Sequence, residues 1–262
     1  MREQIHTIPI NDAMQNAGEC PFCYIEKHAE ERLMDFVLGA GASYMEADIR
    51  EQTDKAGFCR SHFKKMFAYG NALGNAWILK THYRRMIEEM NAEFKGFHPK
   101  KGAKKLKLFA SGKSSDAAKG RDSANPITSW CKEKEASCYI CSSLEKTFYA
   151  YVDTFFTMYR KDEAFKQQLL ESKGFCISHF GDLCEAADKR LNEAELRDFY
   201  ERMLPIQKKN MERIYEDVAW FIEKYDYKNK DADWKDSKDA IQRGMQKLKG
   251  GYPAEPFYQM KK

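Results

Sequence analysis

Apolar side chains recur along this chain in steps of three and four. After Cys141 they fall at Leu144, Phe148, Tyr151, Val152, Phe155 and Tyr159. That is the period of an amphipathic helix. An earlier segment has Ile25, Ala29, Leu33, Phe36 and Val37, then stops at Gly39-Ala-Gly41. A third runs through Phe63, Phe67, Leu73, Trp77, Tyr83, Ile87, Met90 and Phe94 and predicts one long helix. Its later counterpart runs from Leu196 through Phe199, Met203, Met211, Ile214, Val218 and Phe221 to Tyr225. Asn192 is placed to cap that helix, Glu195 to complete a capping box, and Leu191 with Leu196 to form a hydrophobic staple. Pro205 is expected to kink it. A last short helix is expected over 234–248, before the stop signal Gly250-Gly251. No segment alternates with period two, so the fold class is all-α, a helical bundle.

The pattern fails from about Gly96 to Thr128, where Gly, Pro, Ser, Ala and Lys dominate. That stretch reads as a flexible linker or insertion. The organisation is then a first helical repeat over 1–95, a basic linker over 96–128, a second repeat over 129–228, and a C-terminal helix and tail over 229–262.

The cysteines make these two halves copies of one pattern. The first half holds Cys20-Pro-Phe-Cys23 and, after 35 residues, Cys59 in Gly57-Phe58-Cys59-Arg60-Ser61-His62. The second holds Cys138-Tyr-Ile-Cys141 and, after 34 residues, Cys176 in Gly174-Phe175-Cys176-Ile177-Ser178-His179. The CxxC recurs 118 residues on and the CxxH 117 residues on. Six of the eight cysteines belong to this internal repeat.

Such spacing is metal-ligand spacing. A CxxC brings two sulfurs close enough to share one ion, and a helix N-terminus favours thiolate over thiol. A Cys and a His three positions apart lie on one face of a helix. Three thiolates and one imidazole complete a tetrahedron and leave no open position, as in structural zinc sites. Each repeat is therefore expected to close its own Cys3His site. One comprises Cys20, Cys23, Cys59 and His62, the other Cys138, Cys141, Cys176 and His179, with two zinc ions per chain. An iron–sulfur cluster with one His ligand fits the same residues less well, and a CxxC redox dithiol leaves the CxxH unexplained. Cys131 and Cys184 have no counterpart and read as packing residues. His82 reads as a hydrogen-bonded core residue and His28 as a surface one. No catalytic nucleophile–base pair, phosphate-binding loop or paired acid motif stands out.

Composition narrows the setting. Of 262 residues, 43% are hydrophobic and 13% aromatic, which suits a folded core. The net charge of +4 is too small to argue for nucleic acid by itself. The one basic cluster, Pro99 to Arg121, carries eight Lys or Arg against one Asp, and its single aromatic residue, Phe109, does not make an interleaved stacking surface. It reads first as a solvated linker and second as a nucleic-acid-binding arm. Met1–Ile10 lacks the apolar core of a signal peptide. The uncharged stretch Met66–Leu79 is 14 residues long, too short for a bilayer. A cytoplasmic protein without a membrane segment is expected. Its partner would be another protein, of unknown identity. Redox and metal-responsive roles remain open beside a structural one.

The motifs Cys20-Pro-Phe-Cys23, Gly57-Phe58-Cys59-x-x-His62 and Gly174-Phe175-Cys176-x-x-His179 resemble an uncharacterised bacterial family. It is a domain of unknown function with paired CPxC and GFCxxH motifs on helices. The resemblance covers about Cys20 to Gly250 and implies a cytoplasmic helical protein without an assigned activity. The chain departs from the pattern at Cys138-Tyr-Ile-Cys141, which lacks the Pro, and in the basic insertion after Phe94.

Overall fold

The computed structural model describes residues 7–98 and 125–255. Among these the chain is all-α, with eleven helices and no strand. The first half contains α1 (Ile8–Asn16), α2 (Pro21–Leu38), α3 (Ala47–Ala56), α4 (Arg60–Tyr69) and α5 (Ala72–Phe94). The second contains α6 (Pro126–Ala136), α7 (Tyr139–Lys161), α8 (Glu163–Glu171), α9 (Ile177–Arg190), α10 (Glu193–Glu223) and α11 (Ala240–Lys249).

Where local signals are strong, the elements fall where the pattern puts them. Helix α2 stops one residue before Gly39. Helix α10 starts after Asn192 with the full capping box. The Asn192 Oδ1 accepts from the Glu195 amide at 3.0 Å, and Glu195 returns a carboxylate to the Asn192 amide at 3.0 Å. Pro205 lies within α10 without ending it. The C-terminal helix is α11, preceded by a short 3-10 turn at Lys235–Ser237 and ended at Gly250.

The one long helix expected after His62 is two helices. Gly70 takes a left-handed conformation at φ +94° and ends α4. Asn71 then caps α5 by accepting from the Gly74 amide, while its amide group donates to the Leu38 carbonyl at 2.6 Å. A Gly-Asn pair inside an uncharged stretch is a stop and a restart, and that local chemistry overrides the hydrophobic period. Helix α6 begins at Pro126, so the last residues assigned to the linker are helical. Residues 99–124 of that segment, including the whole basic run Pro99–Arg121, lie outside the described residues.

The chain forms two compact units. The first comprises residues 1–36 and 142–262, and the second comprises residues 37–141. The second is inserted into the sequence of the first, and the boundaries fall inside α2 and near the start of α7. The first unit's core is aromatic. Phe22, Phe155, Phe156, Phe175 and Phe199 are each at most 1% exposed and meet edge-on or tilted at centroid distances of 5.2–6.0 Å, with Phe148 alongside. Burying each such ring stabilises the fold by about 1.5–3 kcal/mol. The second unit packs α3 against α5 and buries Tyr44, Ile49, Phe58, Met66, Ile78 and Tyr139.

Each unit ties the residue before a CxxC to the residue before a GFC. In the second unit the Ser137 hydroxyl donates to the Ala56 carbonyl at 2.5 Å, and the Tyr139 amide donates to the Gly57 carbonyl at 2.9 Å. In the first unit the corresponding carbonyls, Glu19 and Lys173, are bridged by one ammonium. Lys247, from α11, donates to the Glu19 carbonyl at 2.9 Å and also to the Lys173 carbonyl. The Glu19 carboxylate is fully buried and meets Lys247 at 3.4 Å and Arg213 of α10. Burial pulls the Lys247 pKa below its ordinary value, while the Glu19 carboxylate opposes the shift.

This bridge yields a measurable expectation. Lys247→Met keeps the volume but leaves two buried carbonyls without their donor and takes one of its cations from the Glu19 carboxylate, which keeps Arg213. A loss of roughly 3 kcal/mol in urea unfolding is expected, because buried acceptors lose a charged donor. An unchanged unfolding midpoint would show that the bridge contributes nothing.

Candidate metal centres

Two sets of four side chains converge, each within one unit. Cys20, Cys23, Cys176 and His179 form the first cluster, and Cys59, His62, Cys138 and Cys141 the second. In each set the ligand atoms lie within 4.8 Å of one another. The expectation that each repeat closes its own site is therefore corrected. Cys20 and Cys23 do not meet Cys59 and His62, and Cys138 and Cys141 do not meet Cys176 and His179. The two halves are exchanged, so each cluster joins the CxxC of one copy to the CxxH of the other. The bonds between the loops that lead into the motifs accompany this pairing: Ser137 and Tyr139 reach Ala56 and Gly57 in one unit, and Lys247 bridges Glu19 and Lys173 in the other.

Every motif begins at a helix N-terminus. Cys20 and Cys138 immediately precede α2 and α7, and Cys59 and Cys176 are the N-caps of α4 and α9. Free amides there point at sulfur. The His179 amide donates to the Cys176 Sγ and the Cys141 amide to the Cys138 Sγ, both at 3.5 Å. The glycine before each GFC phenylalanine is demanded by the turn that leads in. Gly57 and Gly174 have φ of +60° and +69°. A Cβ on Gly57 would meet the His82 ring at 2.7 Å, and one on Gly174 would meet the Gln207 Oε1 at 2.8 Å. Those two side chains hold the loops. His82 Nδ1 bonds the Asp54 carbonyl at 2.8 Å, and Gln207 pairs with both the amide and the carbonyl of Phe175.

In the first cluster His179 turns Nδ1 toward sulfur, at 3.3 Å from Cys20, 3.6 Å from Cys23 and 3.3 Å from Cys176. Cys23 and Cys176 lie 3.8 Å apart. In the second, His62 Nδ1 lies 3.2, 3.3 and 3.4 Å from Cys59, Cys138 and Cys141, and the Cys59 and Cys141 sulfurs are 3.8 Å apart. A tetrahedral zinc with ordinary bond lengths separates its sulfurs by about 3.8 Å and sulfur from nitrogen by about 3.6 Å. All six of these cysteines are free thiols, as are Cys131 and Cys184.

Protons are crowded in both clusters. Hydrogen bonds to Cys176 and Cys20, together with burial, push the Cys23 thiol up. Bonds from Cys20, Cys23 and His179 pull Cys176 down. Burial disfavours a charged His179, yet Cys176, Cys20 and Glu26 outweigh it and hold its pKa at about 12. In the second cluster burial raises Cys138, but bonds from His62 and backbone amides win and bring it to about 6. Burial and the neighbouring sulfurs push Cys141 to about 12. Three ionised thiols at this spacing repel one another, and a divalent cation at the centre relieves that repulsion.

The two clusters are not equivalent. The first is buried throughout, while in the second Cys141 is exposed and Cys59 half-buried. Around the first, Phe148 stacks on the His179 ring at 5.3 Å, and the Gly251 amide donates to the Cys23 Sγ at 3.3 Å. A Cβ on Gly250 would stand 3.2 and 3.3 Å from the Cys23 and Cys176 sulfurs, so only glycine lets the chain pass this close. The His179 Nε2 lies 3.1 Å from the Glu26 carboxylate, which fixes the ring with Nδ1 toward the sulfurs.

Sequence reasoning missed Glu26, although it lies one helical turn beyond Cys23 and so shares its face. Leu144 stands at the matching position of the second copy. Gly250 and Gly251, a stop signal in the sequence, also close on the first cluster's sulfurs. Cys131 is exposed, not packed in a core as expected, and Cys184 is half-buried; neither joins a cluster. His28 bonds Glu31 at 3.1 Å on a partly exposed face, and His82 is hydrogen-bonded as expected.

Glu26→Ala removes the carboxylate behind His179. A metal in the first cluster should bind roughly 10- to 100-fold more weakly, measured by competition with a chelator of known affinity, with the second cluster unaffected. Equal affinity in variant and wild type would rule out the orienting role.

No curated protein and no solved structure matches the chain. Among the described residues, no helix is long and apolar enough to cross a membrane. A family model matches residues 1–255, a span that contains both clusters and the Gly250-Gly251 turn, and the chain belongs to the family of unknown function DUF6062.

Proposed function

We propose that this chain is a zinc protein with two Cys3His sites, one formed by Cys20, Cys23, Cys176 and His179 and the other by Cys59, His62, Cys138 and Cys141. The observation that carries the reading is the convergence itself. Six thiols and two imidazoles, drawn from helix ends far apart in sequence, meet at zinc-ligand spacing. Thiolate and imidazole donors favour zinc over hard cations, and the closed four-ligand set leaves no position for a substrate water. The role is structural and non-enzymatic. Zinc fixes the ends of α2 and α9 in one unit and of α4 and α7 in the other, and the helical surface so held serves as an interaction or regulatory surface for a protein partner. The reading places the chain in the reducing cytoplasm, where thiol sites of this kind persist. The two-copy sequence pattern supports an origin by tandem duplication.

Protein purified without chelator should contain two zinc ions per chain and be colourless. Brown protein containing iron would overturn the metal assignment. The exchanged pairing has its own test in double variants. Cys20→Ser with Cys176→Ser disables one site and should leave one zinc, whereas Cys20→Ser with Cys59→Ser disables both and should leave none. The opposite stoichiometries would restore the pairing within each repeat. Each site lost should lower stability by several kcal/mol, because binding energy is also folding energy. Cys131→Ser and Cys184→Ser should keep both metals.

A further inference from the structure

We infer that the two sites divide the work: the Cys59–His62–Cys138–Cys141 site is an exchangeable zinc site that passes its ion to soft ligands from solvent, while the other is sealed. The inference rests on the zinc reading above and concerns what one site does with its ion.

Zinc leaves a four-ligand thiolate site fastest when an incoming ligand can reach the metal before a resident ligand departs. That needs an exposed edge. The first cluster has none. Its four ligands are at most 5% exposed, the Gly250-Gly251 backbone lies against its sulfurs, Phe148 covers the imidazole, and Glu26 clamps the ring from behind. Lys247 then pins the loops before Cys20 and Cys176 to α11.

The second cluster is built in two halves. Cys138 and His62 are 3% and 4% exposed and form a buried floor. Cys59 is half-buried and Cys141 exposed, and their sulfurs lie 3.8 Å apart along the open side. A small thiol or a chelating nitrogen donor reaches a zinc ion here between Cys59 and Cys141. The bond from zinc to the incoming ligand forms as the bond to the Cys141 sulfur breaks. Where the incoming ligand is a thiol, its proton passes to the departing Cys141 thiolate, so charge balances and no oxidant is needed. Cys141 stands in the first turn of α7, and its release leaves the three other ligands in place to hold or re-bind the ion.

The test uses the full-length chain loaded with two zinc ions and an excess of the chromogenic chelator 4-(2-pyridylazo)resorcinol. One equivalent should leave in a fast phase. The other should leave roughly a hundredfold more slowly, since release from a sealed site waits on local unfolding. Iodoacetamide added after the fast phase, with peptide mapping by mass spectrometry, should mark Cys59, Cys138 and Cys141 and spare Cys20, Cys23 and Cys176. Cys141→Ser should abolish the fast phase as a separate step, through faster loss or absence of that ion, and leave the slow phase unchanged. Release of both ions at one rate, or first alkylation at Cys20, Cys23 or Cys176, overturns the division while leaving the zinc reading intact. Protein that holds no zinc at all overturns both.

Discussion

The meeting of two helix N-termini over one tetrahedral ligand set is the constraint on which each unit of this protein depends. A thiol at the first position of a helix sits among unpaired amides and in the positive end of the dipole. Two such ends brought together supply three sulfurs and an imidazole; the sulfurs repel one another when ionised, and a cation among them would relieve that repulsion. The approach of the ends is prepared by bonds that do not involve the ligands. Ser137 and Tyr139 reach back to the residues before Phe58 in one unit, and Lys247 bridges Glu19 and Lys173 in the other.

The two versions of that bridge account for much of the difference between the sites. A serine hydroxyl makes a short link and brings nothing else with it. A lysine from α11 brings a whole helix, the Glu19–Arg213 pairing and the Gly250-Gly251 turn that closes on the sulfurs. The same sequence motif is thus sealed in one place and open at Cys141 in the other. Glu26 sharpens the contrast, because the equivalent position in the second copy is Leu144, which has no carboxylate to offer.

Much of the architecture follows from local rules. The capping box at Asn192, the stop before Gly39 and the long period of α7 rest on interactions between residues close in sequence, and these elements form where the pattern places them. The break at Gly70-Asn71 rests on local chemistry too, yet the apolar period continuing to Phe94 conceals it.

The sequence by itself determined that the protein is helical and which eight cysteine and histidine residues gather in two four-residue clusters. Motif spacing encodes all of this, since a CxxC or a CxxH is defined within a single helical turn. Only the tertiary structure decided which CxxC meets which CxxH, because that pairing goes with long-range bonds from Ser137, Tyr139 and Lys247. The same long-range packing decided that Gly250 and Gly251, more than 70 residues from Cys176, would cover one cluster, and that Cys141 would lie at the open edge of the other.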